Sequence, residues 1–454
     1  MIPEMRNVHR PESIFQFMFL LFVFTLISCS SANKLNKTEL TALKSQVENS
    51  VVFKKGFTGF ALLDPEKGKM IFEQNADKYF TPGSVTKILT LYTSMNVLGD
   101  SLAALRYIEQ GDSLIFWGAG DPTFLHPEFA ANSRVLDFLK SRKEQLFFCP
   151  DNFRDEHFGA GWMWDDYAHA FQTEKAPLPI YSNVVRFERS PAMEKPAVRP
   201  GYFYAFTELD KDLGGDMPQI HRTERGNRFT YNPQALTGEP FHTATPFDYS
   251  AELLVQLLAD TLGRQVRVLN AKLLPPEESK LLYTNTADTV YRRMMQQSDN
   301  FVAEQLLLQC SDKLFLKMNT GQVISWAKDS LLRNMPDVPR WFDGSGASRY
   351  NLVTPRFVVA LLDSLYQKNS REKLFGIFPT GGISGTIKKY YSGNPPYVIA
   401  KTGTLSNVHN LSGYLLTNSG KTLIFSFMHN NFTLGSDDLK TEMERILSWV
   451  RDNY

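Results

Sequence analysis

The chain has 454 residues, of which 43% are hydrophobic, 21% charged and 13% aromatic, with a formal net charge of +1. This length accommodates two or three domains, and the composition is that of a folded globular protein. The near balance of 49 basic and 48 acidic residues argues against a nucleic-acid partner, because such proteins usually carry a strongly basic surface.

The first 29 residues have the pattern of an export signal. Arg6 and Arg10 precede an apolar run of 14 residues, which is shorter than the roughly 20 residues of a membrane-spanning helix. The run ends in LISC, which resembles a bacterial lipobox, so we expect cleavage before Cys29 and lipid attachment to its sulfur. The alternative is an ordinary signal peptide with an incidental cysteine. Residues 30–50 are polar at first and are expected to form a tether.

Hydrophobic patterning then predicts a domain that is divided by an insertion. Residues 58–75 indicate a β-hairpin, and an apolar helix follows from Ser84 to near Gly99. Residues 100–245 contain short strand-like runs between loops and indicate a β-rich insert of one or two small modules. Helical periodicity returns from Asp248, and three strand-like runs and an amphipathic helix end the chain. We therefore predict one split α/β domain, residues 51–99 plus 246–454, in which the first hairpin pairs with the late strands.

The remaining cysteines, Cys149 and Cys310, both lie in apolar stretches. Two buried free thiols are the favoured interpretation, and a disulfide in an oxidising compartment is the alternative. The sequence contains neither a CxxC pair nor an HExxH helix, so it predicts no metal site and no cofactor.

Ser84 and Lys87 stand one helical turn apart, directly after a Pro-Gly turn. Positions i and i+3 share a face of a helix, and a lysine that is kept neutral can remove the proton of a serine hydroxyl. At a helix N-terminus, the backbone N–H of the serine can also stabilise a developing oxyanion. One short turn can therefore supply both a nucleophile and its base.

Context separates this pair from chance matches, because Ser-x-x-Lys and Ser-x-Asn each occur four times in the chain. Only Ser84 follows a Pro-Gly turn and opens a long apolar helix. Only Ser298, in MMQQSDNFVAEQLL, interrupts an otherwise buried helical stretch. Lys-Thr-Gly occurs once, at Lys401, within a strand-like run. The order of these three motifs is typical of penicillin-binding proteins and serine β-lactamases.

Beyond the three motifs, the sequence resembles the low-molecular-mass class C penicillin-binding proteins, the D-alanyl-D-alanine carboxypeptidases and endopeptidases of the DacB type. The resemblance covers about residues 55–430 and includes FTPGSVTKILT, GAGDPTF, GAGWMWDD, DGSGASRYNLVTP and AKTGTLSNVHNLSGY. The roughly 210 residues between Lys87 and Ser298 are similar to this family, whereas class A β-lactamases keep the motifs closer together. Ser384 departs from the family pattern, which usually has Asp-Gly-Thr at this point.

The resemblance implies a penicillin-binding transpeptidase-like (β-lactamase-like) α/β/α domain and an acyl-transfer mechanism. Ser84 would attack the carbonyl of a D-Ala-D-X bond while Lys87 takes its proton. Ser298 and Lys401 would relay that proton to the leaving amine, and Asn300 would orient Lys87 and the substrate amide.

The resemblance also implies that the Lys-Thr-Gly segment, with Thr402, Gly403 and Thr404, binds the substrate. Lys401 and Thr402 would hold the terminal carboxylate, since an ammonium beside a hydroxyl suits an anion. The backbone N–H groups of Ser84 and Thr404 would form the oxyanion hole.

The leading functional hypothesis is an exported, lipid-anchored serine D,D-peptidase of the cell envelope or periplasm. Its expected partners are peptidoglycan stem peptides, β-lactams as covalent inhibitors and a membrane. Hydrolysis is favoured over transpeptidation because nothing in the sequence suggests a second-substrate domain. The alternatives are a β-lactamase and a non-catalytic envelope lipoprotein that keeps the fold as a binding module. The balance between carboxypeptidase and endopeptidase action stays open.

Overall fold

The computed structural model describes residues 35, 37–129, 133–190, 193–237, 240–433 and 435–454. The predicted signal peptide and lipidation site, Cys29, lie outside these residues.

Among the described residues, strands predominate up to residue 286, helices follow from residue 287 to 377, and three strands and a helix come last. The strands are β1 Phe57–Asp64, β2 Lys69–Gln74, β3 Ser101–Gln110, β4 Ser113–Gly118, β5 Gln145–Phe148, β6 Val184–Arg189, β7 Ala197–Arg199, β8 Thr207–Leu209, β9 Ile220–Arg222, β10 Phe229–Tyr231, β11 Phe241–Pro246, β12 Val266–Val268, β13 Lys280–Thr286, β14 Val398–Leu405, β15 Val408–Leu416 and β16 Thr422–Asn430. The helices are α1 Lys37–Asn49, α2 Lys87–Val97, α3 Arg134–Ser141, α4 Gln234–Thr237, α5 Ala251–Leu262, α6 Ala287–Gln296, α7 Asn300–Phe315, α8 Thr320–Ser330, α9 Pro355–Lys368, α10 Arg371–Ile377 and α11 Ser436–Asn453.

The central sheet has five antiparallel strands in the order β14-β15-β16-β1-β2. Strand β1 pairs with β16, with Phe60 opposite Phe427, so the first hairpin lies beside the last strands. Because side chains alternate between the two faces of a strand, Ala61 and Leu63 pack on one side of the sheet while Phe60 and Leu62 pack on the other.

Helices cover both faces of this sheet. One face packs against α2, α6, α7 and α9, and the other against α1 and α11. The resulting three layers keep the apolar side chains of both sheet faces out of water. Helix α7 lies deep in this structure, since every residue from Phe301 to Asp312 is buried.

The sequence suggested one continuous helical stretch through Ser298, but the structure divides it into α6 and α7. Ser298 adopts a φ of +56°, a left-handed conformation that ends the first helix. Asp299 then begins the second helix as its N-cap, because its carboxylate accepts a hydrogen bond from the Val302 N–H at 3.0 Å. The break turns the Ser298 side chain out of the regular helix surface.

The insert contains a second five-stranded sheet, in the order β12-β5-β4-β3-β13, and two three-stranded sheets, β11-β6-β7 and β8-β10-β9. The larger sheet includes β12 and β13, which lie beyond the insert boundary predicted at residue 245. Helix α5 also packs into the core of this region, through residues such as Leu254 and Leu258. We therefore propose that the insert extends to residue 286, because the last strand of its larger sheet, β13, ends there.

Two further features concern the described residues alone. No helix among them is both long and apolar enough to cross a membrane. Cys149 and Cys310 are both buried and present as free thiols.

Candidate active site

Ser84 lies in a short 3₁₀ turn that continues directly into α2. Two asparagine side chains of the central sheet form hydrogen bonds with the residues directly before this turn. The Asn410 amide donates to the carbonyl oxygens of Thr81 and Pro82, both at 2.9 Å, and the Asn430 side chain accepts from the Thr81 N–H at 2.7 Å. The position of the Ser84 hydroxyl is thus set by strands β15 and β16 as well as by its own helix.

The Lys87 amine contacts three oxygen atoms. Its Nζ lies 3.0 Å from Ser84 Oγ, 2.6 Å from Asn300 Oδ1 and 2.7 Å from the carbonyl oxygen of Ser345. Burial lowers the pKa of Lys87 to about 8, although the carboxylates of three nearby acids act in the opposite direction. A lysine with this pKa is neutral in an appreciable fraction of molecules near neutral pH, and can then accept the proton of the serine.

Lys401 and Ser298 form a second pair. Lys401 Nζ lies 2.9 Å from Ser298 Oγ and 2.8 Å from the carbonyl oxygen of Thr402. Burial, together with the charge of nearby Lys87, lowers the pKa of Lys401 well below its usual value. An anion that approaches this amine would favour its protonated form again. The left-handed backbone of Ser298 is the kind of local strain that is often found at functional sites.

Strand β14 approaches the nucleophile turn closely at Gly403. A Cβ atom at this position would lie 2.1 Å from the carbonyl oxygen of Pro82 and 3.1 Å from the Ser84 nitrogen. A Cβ at Gly83, which has a φ of +52°, would lie 3.1 Å from the Thr404 nitrogen. Glycine at both positions therefore lets the backbones of Ser84 and Thr404 face each other across a narrow gap.

Two buried carboxylates, neither of them predicted from the sequence as a site residue, shape the loop that supports Lys87. Glu304 accepts hydrogen bonds from the N–H groups of Gly344 at 3.0 Å and Ser345 at 2.7 Å. Asp343 accepts from the Gly346 N–H at 2.9 Å. These bonds hold the Ser345 carbonyl oxygen against Lys87. Because α7 also contains Gln305, Gln309 and Asp312, a polar residue at position 304 does not by itself mark a site residue in the sequence.

The insert forms one wall of the catalytic cleft through residues 157–176, which we call the bridge segment. The carbonyl oxygen of Phe171 accepts a hydrogen bond from the Asn300 amide at 2.8 Å. The cleft has a volume of about 440 Å³ and is lined by Ser84, Asn300 and residues of the bridge segment, the 343–351 loop and β14. Asp166 and Arg349, which have opposite charges, both line it.

Two smaller features complete the site. His409 is buried, and its Nδ1 lies 2.9 Å from the hydroxyl of Thr404. Burial lowers the pKa of His409 to about 4, so the ring is neutral at neutral pH. Ser384, at the departure from the family pattern, accepts a hydrogen bond from the Thr380 N–H at 3.2 Å, and the nearby Thr386 hydroxyl lies 2.7 Å from that of Thr402.

The sequence profile of the D-Ala-D-Ala carboxypeptidase 3 (S13) family matches residues 41–453 of the chain. The chain belongs to this family. Among its relatives is the D-alanyl-D-alanine carboxypeptidase DacB of Haemophilus influenzae, which is 24% identical and aligns with 87% of this chain and 90% of its own length. The D-alanyl-D-alanine carboxypeptidase of Actinomadura sp. (strain R39) is 23% identical over 90% of this chain and 85% of its own.

A solved structure of a similar protein shares the fold. The crystal structure of penicillin-binding protein 4 from Haemophilus influenzae superposes with a TM-score of 0.69, covering 91% of this chain and 97% of that chain at 22% identity. The predicted penicillin-binding transpeptidase-like α/β class is thereby confirmed. Membership of the S13 family likewise confirms the resemblance to D-alanyl-D-alanine carboxypeptidases and the predicted serine-type enzyme class. This class of activity fits the predicted cell-envelope location.

Proposed function

We propose that this S13 protein hydrolyses D-Ala-D-X bonds of peptidoglycan stem peptides through an acyl-enzyme on Ser84. The observation that carries the proposal is the contact of the Lys87 amine with Ser84 Oγ at 3.0 Å and with Asn300 Oδ1 at 2.6 Å. A nucleophile, its base and a group that orients the base meet there at hydrogen-bond distances.

In the acylation step, neutral Lys87 removes the hydroxyl proton as Ser84 Oγ forms a bond to the substrate carbonyl carbon. The carbonyl oxygen becomes an oxyanion and accepts hydrogen bonds from the backbone N–H groups of Ser84 and Thr404. Gly403 permits this arrangement, because its missing side chain allows β14 to approach the turn. Such preorganised donors lower the barrier where negative charge develops.

The bond from the carbonyl carbon to the leaving nitrogen then breaks. Ser298, which is hydrogen-bonded to Lys401, passes the proton taken up by Lys87 to the departing amine. Lys401 and Thr402 hold the carboxylate of the leaving residue. In the second half of the reaction, Lys87 takes a proton from water as the water oxygen attacks the ester carbonyl carbon. When the bond from that carbon to Ser84 Oγ breaks, Lys87 returns the proton to Ser84 Oγ.

Labelling with a fluorescent penicillin tests the nucleophile. Wild-type protein should label covalently and release D-alanine from a pentapeptide, whereas Ser84→Ala should do neither, with a rate loss on the order of 10⁴-fold or more. The chain offers a matched control, since Ser325 also precedes a lysine at the same spacing. Ser325→Ala should label like wild type. Equal labelling of Ser84→Ala and wild type would contradict the assignment.

Other outcomes of the same assays distinguish the alternatives. Rapid turnover of a chromogenic β-lactam, in place of slow covalent labelling, would indicate a β-lactamase. A folded wild-type protein that neither labels nor releases product would indicate a non-catalytic binding module. Mass spectrometry of digested peptidoglycan fragments separates the two peptidase activities, because free D-alanine marks a carboxypeptidase and split dimers mark an endopeptidase.

We also propose that the mature chain begins at a lipid-modified Cys29 and is anchored to a membrane of the cell envelope. The support is the 14-residue apolar run that ends in LISC. Cells fed a radiolabelled fatty acid should incorporate label into the wild-type protein but not into Cys29→Ser. Cys149→Ala, which changes a buried thiol, should keep the label. Label retained by Cys29→Ser would overturn the lipobox interpretation.

A further inference from the structure

A second cavity, with a volume of about 480 Å³, lies beside the catalytic cleft. It is lined by residues of the bridge segment and, from a later part of the insert, by Arg222, Arg225 and Asp248. Met163 and Gln172 line both cavities. The Gln172 amide donates to the carbonyl oxygen of Met163 at 2.6 Å, which fixes this shared wall. A ligand that passes over these two side chains can occupy both spaces.

Aromatic rings form much of the bridge-segment side of this cavity. Trp164 is 68% exposed and stacks on Tyr167, with ring centroids 6.1 Å apart and an angle of 13° between the planes. The guanidinium of Arg222 lies 5.0 Å from the centre of the Tyr167 ring, and the Tyr167 hydroxyl donates to the Arg222 carbonyl oxygen at 3.2 Å. The indole of Trp164 thus presents a flat apolar surface to solvent on a support that is held in place.

Charged groups surround these rings. Glu174 and Arg222 are buried at the inner side of the cavity, while Glu224 and Arg225 are exposed at its mouth. Burial raises the pKa of Glu174 to about 7. Binding sites for small polar molecules combine apolar rings with a few such polar groups that fix orientation. The combination suits a ligand that has both an apolar face and a hydroxyl-rich edge.

The position of the cavity indicates which part of the substrate reaches it. In the proposed reaction, the leaving residue lies at Lys401 and Thr402. The cleft lining continues from Ser84 in the other direction, along Thr404 to Ser406 and the bridge segment, and the second cavity follows. The portion of substrate on the acyl side of the scissile bond therefore points towards this cavity. In peptidoglycan, that side of the stem peptide leads to the glycan strand.

We propose that the second cavity is a subsite for the N-acetylated amino sugars of the glycan strand, with Trp164 as the stacking platform. The inference rests on the proposed peptidase function. A pyranose ring packs its C–H face on an indole and directs its hydroxyl and acetamido groups to the edges, where Arg225 and Glu224 can bind them. Sugar binding here would make the enzyme favour glycan-linked stem peptides over free peptides.

The test compares two substrates: a disaccharide pentapeptide and the same pentapeptide without sugars. The measured quantity is the ratio of their kcat/KM values for D-alanine release by the full chain. Wild type should favour the disaccharide substrate. Trp164→Ala should lower the ratio about tenfold, the effect of losing one aromatic stacking contact. Arg225→Ala should lower it in the same direction.

The matched control is Tyr204→Ala, which removes an aromatic ring of similar exposure, 57%, from a part of the insert away from the cavity. Its ratio should equal that of wild type. The subsite is overturned if active wild-type protein does not discriminate between the substrates, or if Trp164→Ala leaves the ratio unchanged. If Trp164→Ala instead lowers kcat/KM only for sugar-free cross-linked dimers, the subsite is also overturned, and the cavity is assigned to a second peptide. Failure of wild type to release D-alanine from either substrate would instead remove the proposed function itself.

Discussion

At the scale of single residues, the reactivity of Ser84 depends on the proton affinity of Lys87. Burial lowers the pKa of Lys87 to about 8, and the carboxylates of Asp343, Glu304 and Asp299 limit the decrease because they stabilise the ammonium form. A fully protonated lysine could not act as the base. We therefore expect the rate of acylation by penicillin to rise with pH, with a midpoint near 8, as Lys87 loses its proton.

Glu304 offers a way to change this pH dependence without touching the reacting groups. At pH 8 its carboxyl, whose pKa burial raises to about 7, is mostly ionised and stabilises protonated Lys87. In Glu304→Gln this negative charge is lost, so the pKa of Lys87 should decrease further and the rise in rate should move to lower pH. The measurement is the pH profile of the second-order rate constant for penicillin acylation.

The shift of the profile distinguishes an electrostatic role of Glu304 from a purely mechanical one. Glu304 also accepts two backbone N–H groups of the supporting loop, at 3.0 and 2.7 Å. If these bonds were its whole contribution, Glu304→Gln would lower the rate equally at every pH and leave the midpoint in place. A rate loss with an unshifted midpoint would therefore contradict the electrostatic interpretation.

At the scale of elements, the site depends on how closely β14 approaches the turn before α2. In Gly403→Ala the new methyl group would lie 2.1 Å from the Pro82 carbonyl oxygen, so the strand and the turn must separate. That separation should spread the N–H groups of Ser84 and Thr404 apart. We expect acylation by penicillin to slow by about 10²–10³-fold, as when an oxyanion-hole donor is lost.

Stopped-flow labelling measures that rate, and circular dichroism shows whether the variant is folded. Gly99→Ala is the control, because a Cβ at Gly99 meets no atom within 4 Å. It should acylate at the wild-type rate. A Gly403→Ala protein that also reacts at the wild-type rate would show that the close approach of β14 is not needed for acylation.

The same elements show what the sequence could and could not predict. The first hairpin, the strands around Lys401 and the Ser84 helix could be predicted, because local periodicity and short motifs within single segments indicate them. Strand β12 was missed because it is only 3 residues long and its pairing with β5 joins distant parts of the chain. Strand β13 likewise pairs with the distant β3. The roles of Asn410 and Glu304 became visible only in three dimensions, since each binds backbone groups of a remote segment.

At the scale of the whole molecule, α7 connects the catalytic site to the insert along its length. Its first residue, Asn300, contacts Lys87. One turn later, Gln305 exchanges two hydrogen bonds with the backbone of Ala176, at 3.0 and 2.8 Å. Near its end, Asp312 accepts from the buried Arg106 guanidinium of β3 at 2.9 Å. The buried polar side chains of this helix bind the insert to the peptidase domain. We therefore expect the insert and the peptidase domain to unfold together.

Asp312→Ala tests this coupling, because it leaves the Arg106 charge buried without its carboxylate. Removal of one partner from a buried ion pair costs about 3–5 kcal/mol, so we expect a clearly lower Tm in differential scanning calorimetry. Arg228→Ala breaks an ion pair with Glu208 whose side chains are 70% and 61% exposed, and should change the Tm little. If the insert and the peptidase domain form one cooperative unit, Asp312→Ala will show a single transition at lower temperature. Two separate transitions, with only one shifted in temperature, would show that the insert is stable by itself and that its contacts with α7 do not couple its unfolding to that of the peptidase domain.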